Sequence, residues 1–285
     1  MAAPALIYQS RSGPGAIPRW PDVHVAVRTR GDNFVVTTAA ADFRESWLMR
    51  TPIAHRGLHD LGAGRPENSL AAFAHACTRG FPAELDVRLT RDREAVVFHD
   101  RALRRLTGVI GRVEERDAAA VTALRLLGTD ERVPLLRDVL DLVDGRVPLL
   151  IELKSSVLRP ALERAVLAAL DGHGGEVAIQ SFKRRALRTL DRCDAPHAIG
   201  HLRRRGTLPA PPGVRTAFLG CHVDAVASRA VRRRRECGAV VLAWTVRSPE
   251  QARRALGFVD NYIFEGFVPN GHALSAPGSA PGASP

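Results

Sequence analysis

AELDVRLT, residues 83–90, is the stretch from which the fold can be read outward. Side chains alternate across a β-strand with period two, so Glu84, Asp86 and Arg88 share one face and Leu85, Val87 and Leu89 the other. A strand in a helix-covered sheet needs its outer face apolar, and this one has such a face. Its opposite face carries three charges, and burying charges is costly unless partners meet them. LLIELKS, 149–155, repeats the arrangement: Glu152 and Lys154 lie on one face, Ile151 and Leu153 on the other. Two further apolar runs end on histidine, PIAHRG (52–57) at His55 and AVVFHD (95–100) at His99.

Around these lie further short apolar runs: EVAIQSF, HAIGHL, AFLGCHV, VVLAWTV and NYIFEGF. Helical spacing separates many of them. NSLAAFAHACTRG places Leu70, Phe73 and Cys77 on one stripe with Gly80 as a stop, and RPALERAVLAALDG and SPEQARRALGF read the same way. Strand-then-helix order repeated over most of the chain argues for a parallel α/β fold. The count is nine candidate strands, one more than an eight-fold barrel uses, and AFLGCHV (217–223) is taken as the surplus. Periodicity leaves a doubly wound sheet open as the competing architecture. Residues 101–147 are long for a connection and carry helical pieces of their own, which marks them as an insertion after the third strand.

Composition fits a soluble globular chain: 285 residues, 45% hydrophobic and 25% charged. No apolar run reaches the roughly 20 residues a membrane helix needs, so no stable membrane insertion is expected. The N-terminus lacks a basic-then-apolar leader pattern. Cys77, Cys193, Cys221 and Cys237 have no metal-site or disulfide spacing. Together these point to a cytoplasmic protein. The formal charge of +11 comes from arginine, the only lysines being Lys154 and Lys183. Its arginine runs have no interleaved aromatics to stack bases, so they read as solvated helix faces, and no nucleic-acid partner is expected. Residues 1–47 have no sustained period and read as an N-terminal extension, and the Ala/Pro/Gly/Ser tail 271–285 reads as disordered.

The charged set has a coherent chemistry. Glu84, Asp86 and Glu152 are hard oxygen donors suited to one divalent cation, Mg²⁺ or Ca²⁺. His55 and His99 form an acid/base pair for neutral pH. Arg56 and Lys154 are cations for an anionic group. A metal, two histidines and two cations point to cleavage of a phosphate ester.

AHRG (54–57), PENSLAAFAHACTRGFPAELDVRLTRDREAVVFHDRALRRLTG (66–108), LLIELKS, IQSF and AWTV, in this order and spacing, resemble the glycerophosphodiester phosphodiesterase family over about residues 48–270. The resemblance implies a (β/α)8 TIM barrel that hydrolyses a small-molecule glycerophosphodiester to glycerol 3-phosphate and an alcohol. It also implies a cyclic phosphate formed by attack of the glycerol 2-hydroxyl. By position, Glu84, Asp86 and Glu152 correspond to metal ligands and His55 and His99 to the general base and acid. Arg56 and Lys154 correspond to phosphate contacts, Glu67 and Asn68 to supporting residues, and Trp244 to a wall against glycerol or the leaving group. Bland alternatives stand beside several of these. Glu67 before Asn68 fits helix N-terminal chemistry, Trp244 fits a core, Asp100 fits either a cap or an orienter of His99, and His59 fits a solvated loop. The family's last strand commonly ends in Thr-Asp; here Glu265 stands in IFEGF, read as a polar residue at the barrel mouth and not as a ligand. Two other functions remain on the same scaffold: lysophospholipase D-type hydrolysis of lysophospholipids, and a barrel that binds anionic ligands or lipid headgroups without turnover.

Overall fold

The structure is a computed structural model that describes residues 46–155, 160–204, 210–236 and 238–269. The expected extension and tail, except for residues 46 and 47, lie outside these residues. Nine strands form one sheet: β1 Ile53–Ala54, β2 Ala83–Leu89, β3 Ala95–Val97, β4 Leu149–Leu153, β5 Val177–Ser181, β6 Ala198–Arg203, β7 Phe218–His222, β8 Val240–Val246 and β9 Asn261–Phe264. The order is β1-β9-β8-β7-β6-β5-β4-β2-β3, and β1 also pairs with β2, which closes eight parallel strands into a barrel. The expected (β/α)8 barrel is therefore the fold.

The surplus strand is not the one expected. Phe218–His222 is a full barrel member, paired in parallel with β6 and β8. The extra strand is Ala95–Val97, which folds back antiparallel on β2 with Val87 opposite Val97. Only five residues separate Leu89 from Ala95. That suffices for a hairpin but not for the crossover a parallel neighbour requires. His99 thus reaches the barrel mouth from a hairpin and not from a barrel strand.

The helices are α1 Trp47–Arg50, α2 Leu70–Arg79, α3 Arg104–Thr107, α4 Ala118–Thr122, α5 Leu136–Val143, α6 Ala161–Ala169, α7 Arg184–Arg192, α8 Arg229–Glu236 and α9 Pro249–Leu256; α2 and α5 to α9 cover the outside of the barrel. Local chemistry sets their ends. Ser69 caps α2 by accepting from the Ala72 N–H at 3.2 Å, and Gly80 ends it in a left-handed conformation. Ser248 caps α9 ahead of Pro249 in its first turn.

Three apolar clusters result. The largest lies between the strands and the helices, with Leu85, Val87, Ile151, Leu153, Ile179, Leu219 and Val241 facing outward. A second fills the barrel interior with Ile53, Leu150, Ala178, Phe218, Leu242 and Ile263, and Leu48 of α1 plugs its lower end. Asn261 fixes that plug by donating to the carbonyls of Leu48 and Thr51 at 2.9 and 2.8 Å. Phe218 needs the space in front of Gly200, where any Cβ would lie 2.1 Å from its ring. The third cluster joins Val96 and Phe98 to Leu103, Leu106, Val113, Val121, Leu126 and Val133, giving residues 101–147 a small core built on the hairpin.

Candidate active site

The alternation read in AELDVRLT holds in three dimensions. Leu85 and Val87 face the helices, while Glu84 and Asp86 point into the barrel mouth and are each only 1% exposed. Parallel pairing sets Asp86 beside Glu152, and the next strand continues the row with Gln180. One oxygen from each of Glu84, Asp86 and Glu152 comes within 4.8 Å of the others. Such a cluster is unfavourable by itself, and the surrounding groups show how it is held.

Asp86 is the best compensated. Lys154 Nζ lies 3.0 Å from one oxygen, Arg56 Nε lies 3.2 Å from the other, and the Asn68 side-chain amide donates to it at 2.9 Å. Burial alone would raise its pKa, but Lys154 and Arg56 outweigh that and hold the carboxyl far below the usual range. Lys154 also meets Glu152 at 2.7 Å. Glu84 accepts the Arg56 backbone N–H at 3.1 Å. Burial, then repulsion from Asp86 and Glu152, pushes Glu84 well above the usual carboxylate range. Burial raises Glu152 as well, against the pull of Lys154. Three converging carboxylates, two of them pressed toward protonation, are a donor set that fits a hard divalent cation, which would relieve both.

The turn after β1 delivers the basic residues. Arg56 has φ +54° and Gly57 has φ +78°, so the chain reverses immediately after His55. At Gly57 a Cβ would sit 2.9 Å from the backbone carbon of Ala72, which leaves no room for a side chain. The reversal lets Arg56 Nη1 donate to Glu67 at 2.6 Å while its Nε faces Asp86. Asn68, also left-handed at φ +59°, is held by its N–H donating to the Arg56 carbonyl at 2.9 Å. The sequence left Glu67 and Asn68 between capping and site duty. Ser69 does the capping, and the other two face the carboxylates and Arg56.

Each histidine has a carboxylate behind it. His99 Nδ1 meets Asp100 at 2.6 Å, and Arg88 fixes its backbone by donating twice to the His99 carbonyl, at 2.8 and 2.6 Å. His55 Nδ1 meets Glu265, and its Nε2 points toward Glu84 at 4.0 Å. Glu265 is in turn engaged by Arg247 at 2.6 Å and lies 3.8 Å from His59 Nε2. Burial would raise the Glu265 pKa, but its contacts with His55, His59 and Arg247 hold it well below normal. Burial lowers both His55 and His99 from their ordinary value, against the upward pull of Glu265 on His55 and of Asp86 and Asp100 on His99.

Two residues matter more here than their sequence context revealed. Glu265 is the partner of His55, 210 positions away. Arg105, on α3 of the insertion, grips Glu67 through both terminal nitrogens at 2.8 Å and donates from Nε to Asp100 at 2.5 Å. It therefore links the support of Arg56 to the support of His99. Burial would raise Asp100, but Arg105 and His99 bring its pKa down to about 2. RALRRLTG gave no sign of this, because an arginine on a short helix looks the same solvated or engaged.

Across the barrel from the carboxylates stands Trp244, half-buried, with Phe182 edge-on to it at 5.3 Å and His222 at 5.0 Å. Among the described residues, Trp244 Nε1 and Gln180 Oε1 are buried without a hydrogen-bond partner. Ser181 instead donates to the Leu153 carbonyl at 2.9 Å, a structural role.

The comparisons with known proteins agree with this site. Residues 55–259, more than half of the chain, match the model of the glycerophosphoryl diester phosphodiesterase family. A glycerophosphodiester phosphodiesterase of Caldanaerobacter subterraneus subsp. tengcongensis is 35% identical over 158 residues, 51% of this chain and 63% of that protein. A lysophospholipase D of Rattus norvegicus is 40% identical over 103 residues, 31% of this chain and 32% of that protein. The chain thus spans between about a third and two thirds of the curated relatives' length. Among solved structures, a phosphodiesterase of Oleispira antarctica in complex with the product sn-glycerol-3-phosphate superposes with a TM-score of 0.68 at 24% identity. That match covers 79% of this chain and 94% of the other, and it bears on fold alone. A glycerophosphoryl diester phosphodiesterase described as putative, from Silicibacter pomeroyi, gives a TM-score of 0.67 at 25% identity, covering 77% and 91%. With the barrel, the carboxylate cluster and the two histidines in the matched region, the chain belongs to the glycerophosphoryl diester phosphodiesterase family.

Proposed function

We propose that this protein hydrolyses glycerophosphodiesters to glycerol 3-phosphate and an alcohol, with one divalent cation, Mg²⁺ or Ca²⁺, held by Glu84, Asp86 and Glu152. The observation that carries the reading is the pairing of this buried carboxylate cluster with two histidines, each backed by its own carboxylate. When bound, the cation supplies Lewis acidity toward a phosphoryl oxygen and a template for the substrate.

The chain's own groups move the protons. In the first step one histidine accepts the proton of the attacking glycerol 2-hydroxyl as its oxygen bonds to phosphorus. The other gives a proton to the departing alcohol oxygen as its bond to phosphorus breaks, leaving a cyclic phosphate. In the second step water adds to phosphorus and the ring opens, with the two histidines exchanging roles. Glu265 and Asp100 each accept the Nδ1–H of their histidine and so aim the other nitrogen at the substrate. Arg56 and Lys154, pinned by Glu67, Asp86 and Glu152, offset charge that builds on the phosphoryl oxygens. Glu67 and Asn68 support them, and Trp244 forms a wall against the glycerol or the leaving group.

Lysophospholipid hydrolysis is the second reading, favoured by the similarity to the lysophospholipase D from rat. A binding-only barrel is disfavoured, because a pair of carboxylate-backed histidines has no use without proton transfer. A cytoplasmic location belongs to the same proposal and rests on unpaired thiols at Cys77, Cys193 and Cys221. Among the described residues, no helix is long and apolar enough to cross a membrane.

The test is glycerol 3-phosphate release from a panel of glycerophosphodiesters with Mg²⁺, with Ca²⁺ and with EDTA, run beside choline release from lysophosphatidylcholine. Metal-dependent glycerol 3-phosphate release bears the proposal out. Turnover of the lysophospholipid alone would replace it with the second reading.

A further inference from the structure

The turn that follows His55 brings a second imidazole back to it. Parallel pairing of β1 with β9 sets His55 beside Glu265, whose N–H donates to the Val246 carbonyl at 3.0 Å and so ties it to the end of β8. The loop that carries His59 is tied down as well. After the left-handed Arg56, the Gly57 N–H donates to the Glu84 carbonyl and the Leu58 N–H to the Ala72 carbonyl, each at 3.1 Å. His59 Nε2 therefore stands 3.8 Å from the same Glu265 oxygen that meets His55 Nδ1. One ligating atom from each of His55, His59 and Glu265 lies within 4.8 Å of the others. A tetrahedral cation with bonds of 2.0–2.1 Å asks for ligand atoms about 3.3 Å apart, which small side-chain adjustments supply. A separate observation points the same way. His59 Nε2 is buried and has no hydrogen-bond partner among the described residues, and the proton transfers described above make no use of it. Arg247 holds the other Glu265 oxygen at 2.6 Å, so Oε2 is the one that turns to a ligand.

Two imidazoles and one carboxylate, with a fourth position left to water, are a donor set for Zn²⁺. We propose that His55 Nδ1, His59 Nε2 and Glu265 Oε2 form a second cation site, and that Zn²⁺ bound there inhibits the enzyme. The inhibition rests on the function proposed above; the site does not. Zn²⁺ bonds to the Nδ1 lone pair and displaces the proton from that nitrogen, so the single proton of a neutral ring sits on Nε2, the nitrogen aimed at the substrate. An Nε2–H donates and cannot accept. The two histidines exchange roles between the steps, so each must accept a proton once per turnover, and the block holds whichever histidine is base in the first step. Mg²⁺ and Ca²⁺ prefer the all-oxygen set of Glu84, Asp86 and Glu152, so with these ions alone Glu265 keeps its hydrogen bond to His55.

The experiment titrates Zn²⁺ into wild type and His59→Gln with Mg²⁺ or Ca²⁺ saturating, reading glycerol 3-phosphate release and, on the same proteins, the heat of Zn²⁺ binding. Each rate is taken relative to that protein's own rate without Zn²⁺, and a thermal melt checks that the variant is folded. Zn²⁺ is expected to inhibit wild type in a way that added Mg²⁺ or Ca²⁺ does not relieve. His59→Gln should need at least about tenfold more Zn²⁺ for half inhibition and bind it more weakly by the same factor. Inhibition that is equal in both proteins, or that the hard cation relieves, places Zn²⁺ at the carboxylates and overturns the inference. Absence of inhibition overturns it too, and in each of these cases the phosphodiesterase reading stands. A wild type that hydrolyses no glycerophosphodiester overturns that reading instead. Calorimetry then decides the site: Zn²⁺ binding weakened in His59→Gln supports it, and equal binding in both proteins overturns it.

Discussion

Replacing Glu265 by Gln tests the pairing that the sequence alone did not disclose. Glu265 accepts the Nδ1–H of His55 through one oxygen and meets Arg247 through the other at 2.6 Å. Both His55 and Glu265 are largely buried, at 13% and 19% side-chain exposure, so the contact is only weakly screened. A charge-assisted hydrogen bond of this kind contributes about 1.5–3 kcal/mol. The bond strengthens as His55 becomes a cation in the transition state, so its loss appears mainly in kcat. At about 1.4 kcal/mol per decade, the expected loss in kcat is roughly 10–100-fold. That is smaller than the 10²–10⁴-fold typical of removing an acid/base group outright, as His55→Ala would do. The assay is glycerol 3-phosphate release under saturating metal, with metal content measured on the same samples. The double variant Glu265→Gln/His55→Ala should lose no more than His55→Ala alone, since Glu265 acts through the histidine. A Glu265→Gln enzyme within twofold of wild type would refute the positioning role. Loss of an equivalent of metal would refute it differently, by showing that His55, His59 and Glu265, which also converge closely enough for a cation, hold one.

Three further outcomes are expected. Gly57→Ala forces a Cβ to within 2.9 Å of the Ala72 backbone at φ +78°, and should destabilise by about 2–4 kcal/mol in denaturant unfolding; a cost under 0.5 kcal/mol would contradict this. Arg105→Met removes the bridge between Glu67 and Asp100 and should lower kcat about tenfold without loss of metal, since its donors serve groups that position His99 and Arg56; unchanged kinetics would show the insertion to be a bystander. His201 is buried near Arg203, Arg234 and Arg184, and burial followed by these cations lowers its pKa to about 4. The unfolded chain therefore binds a proton near pH 6.5 that the folded chain refuses until about pH 4. Stability is complete above pH 6.5 and falls by up to about 3 kcal/mol as pH drops through that window. His201→Gln should flatten the slope, and an identical slope would rule His201 out as its source.

What the sequence disclosed and what it hid follow from the range of each interaction. Alternation in AELDVRLT and LLIELKS is local, and it placed Glu84, Asp86, Glu152 and Lys154 on the inner face before any tertiary contact was considered. The surplus strand was misassigned because Ala95–Val97 and Phe218–His222 are both short apolar runs. Only the hairpin-length link after Leu89 separates the two cases, and that link was available to be read. No helix precedes β7 among the described residues, which removed the usual mark of a barrel strand. Glu265 and Arg105 were hidden for another reason. Their partners are chosen by barrel closure and by docking of the insertion, and neither leaves a periodic trace. The ambiguity between cap and site at Glu67, Asn68 and Ser69 was resolved by geometry: two left-handed residues, Arg56 and Asn68, turn the side chains of this loop toward the carboxylates.

The central claim assigns metal holding to the carboxylates and proton transfer to the histidines, and one paired measurement tests it most directly. Divalent-cation binding by calorimetry and glycerol 3-phosphate release would be recorded for wild type, Glu152→Ala and His99→Ala. The account predicts that Glu152→Ala loses cation binding and turnover together, while His99→Ala binds the cation as wild type does and loses about 10²–10⁴-fold in kcat. Equal loss of cation binding in both variants, or turnover by His99→Ala within tenfold of wild type, would contradict it.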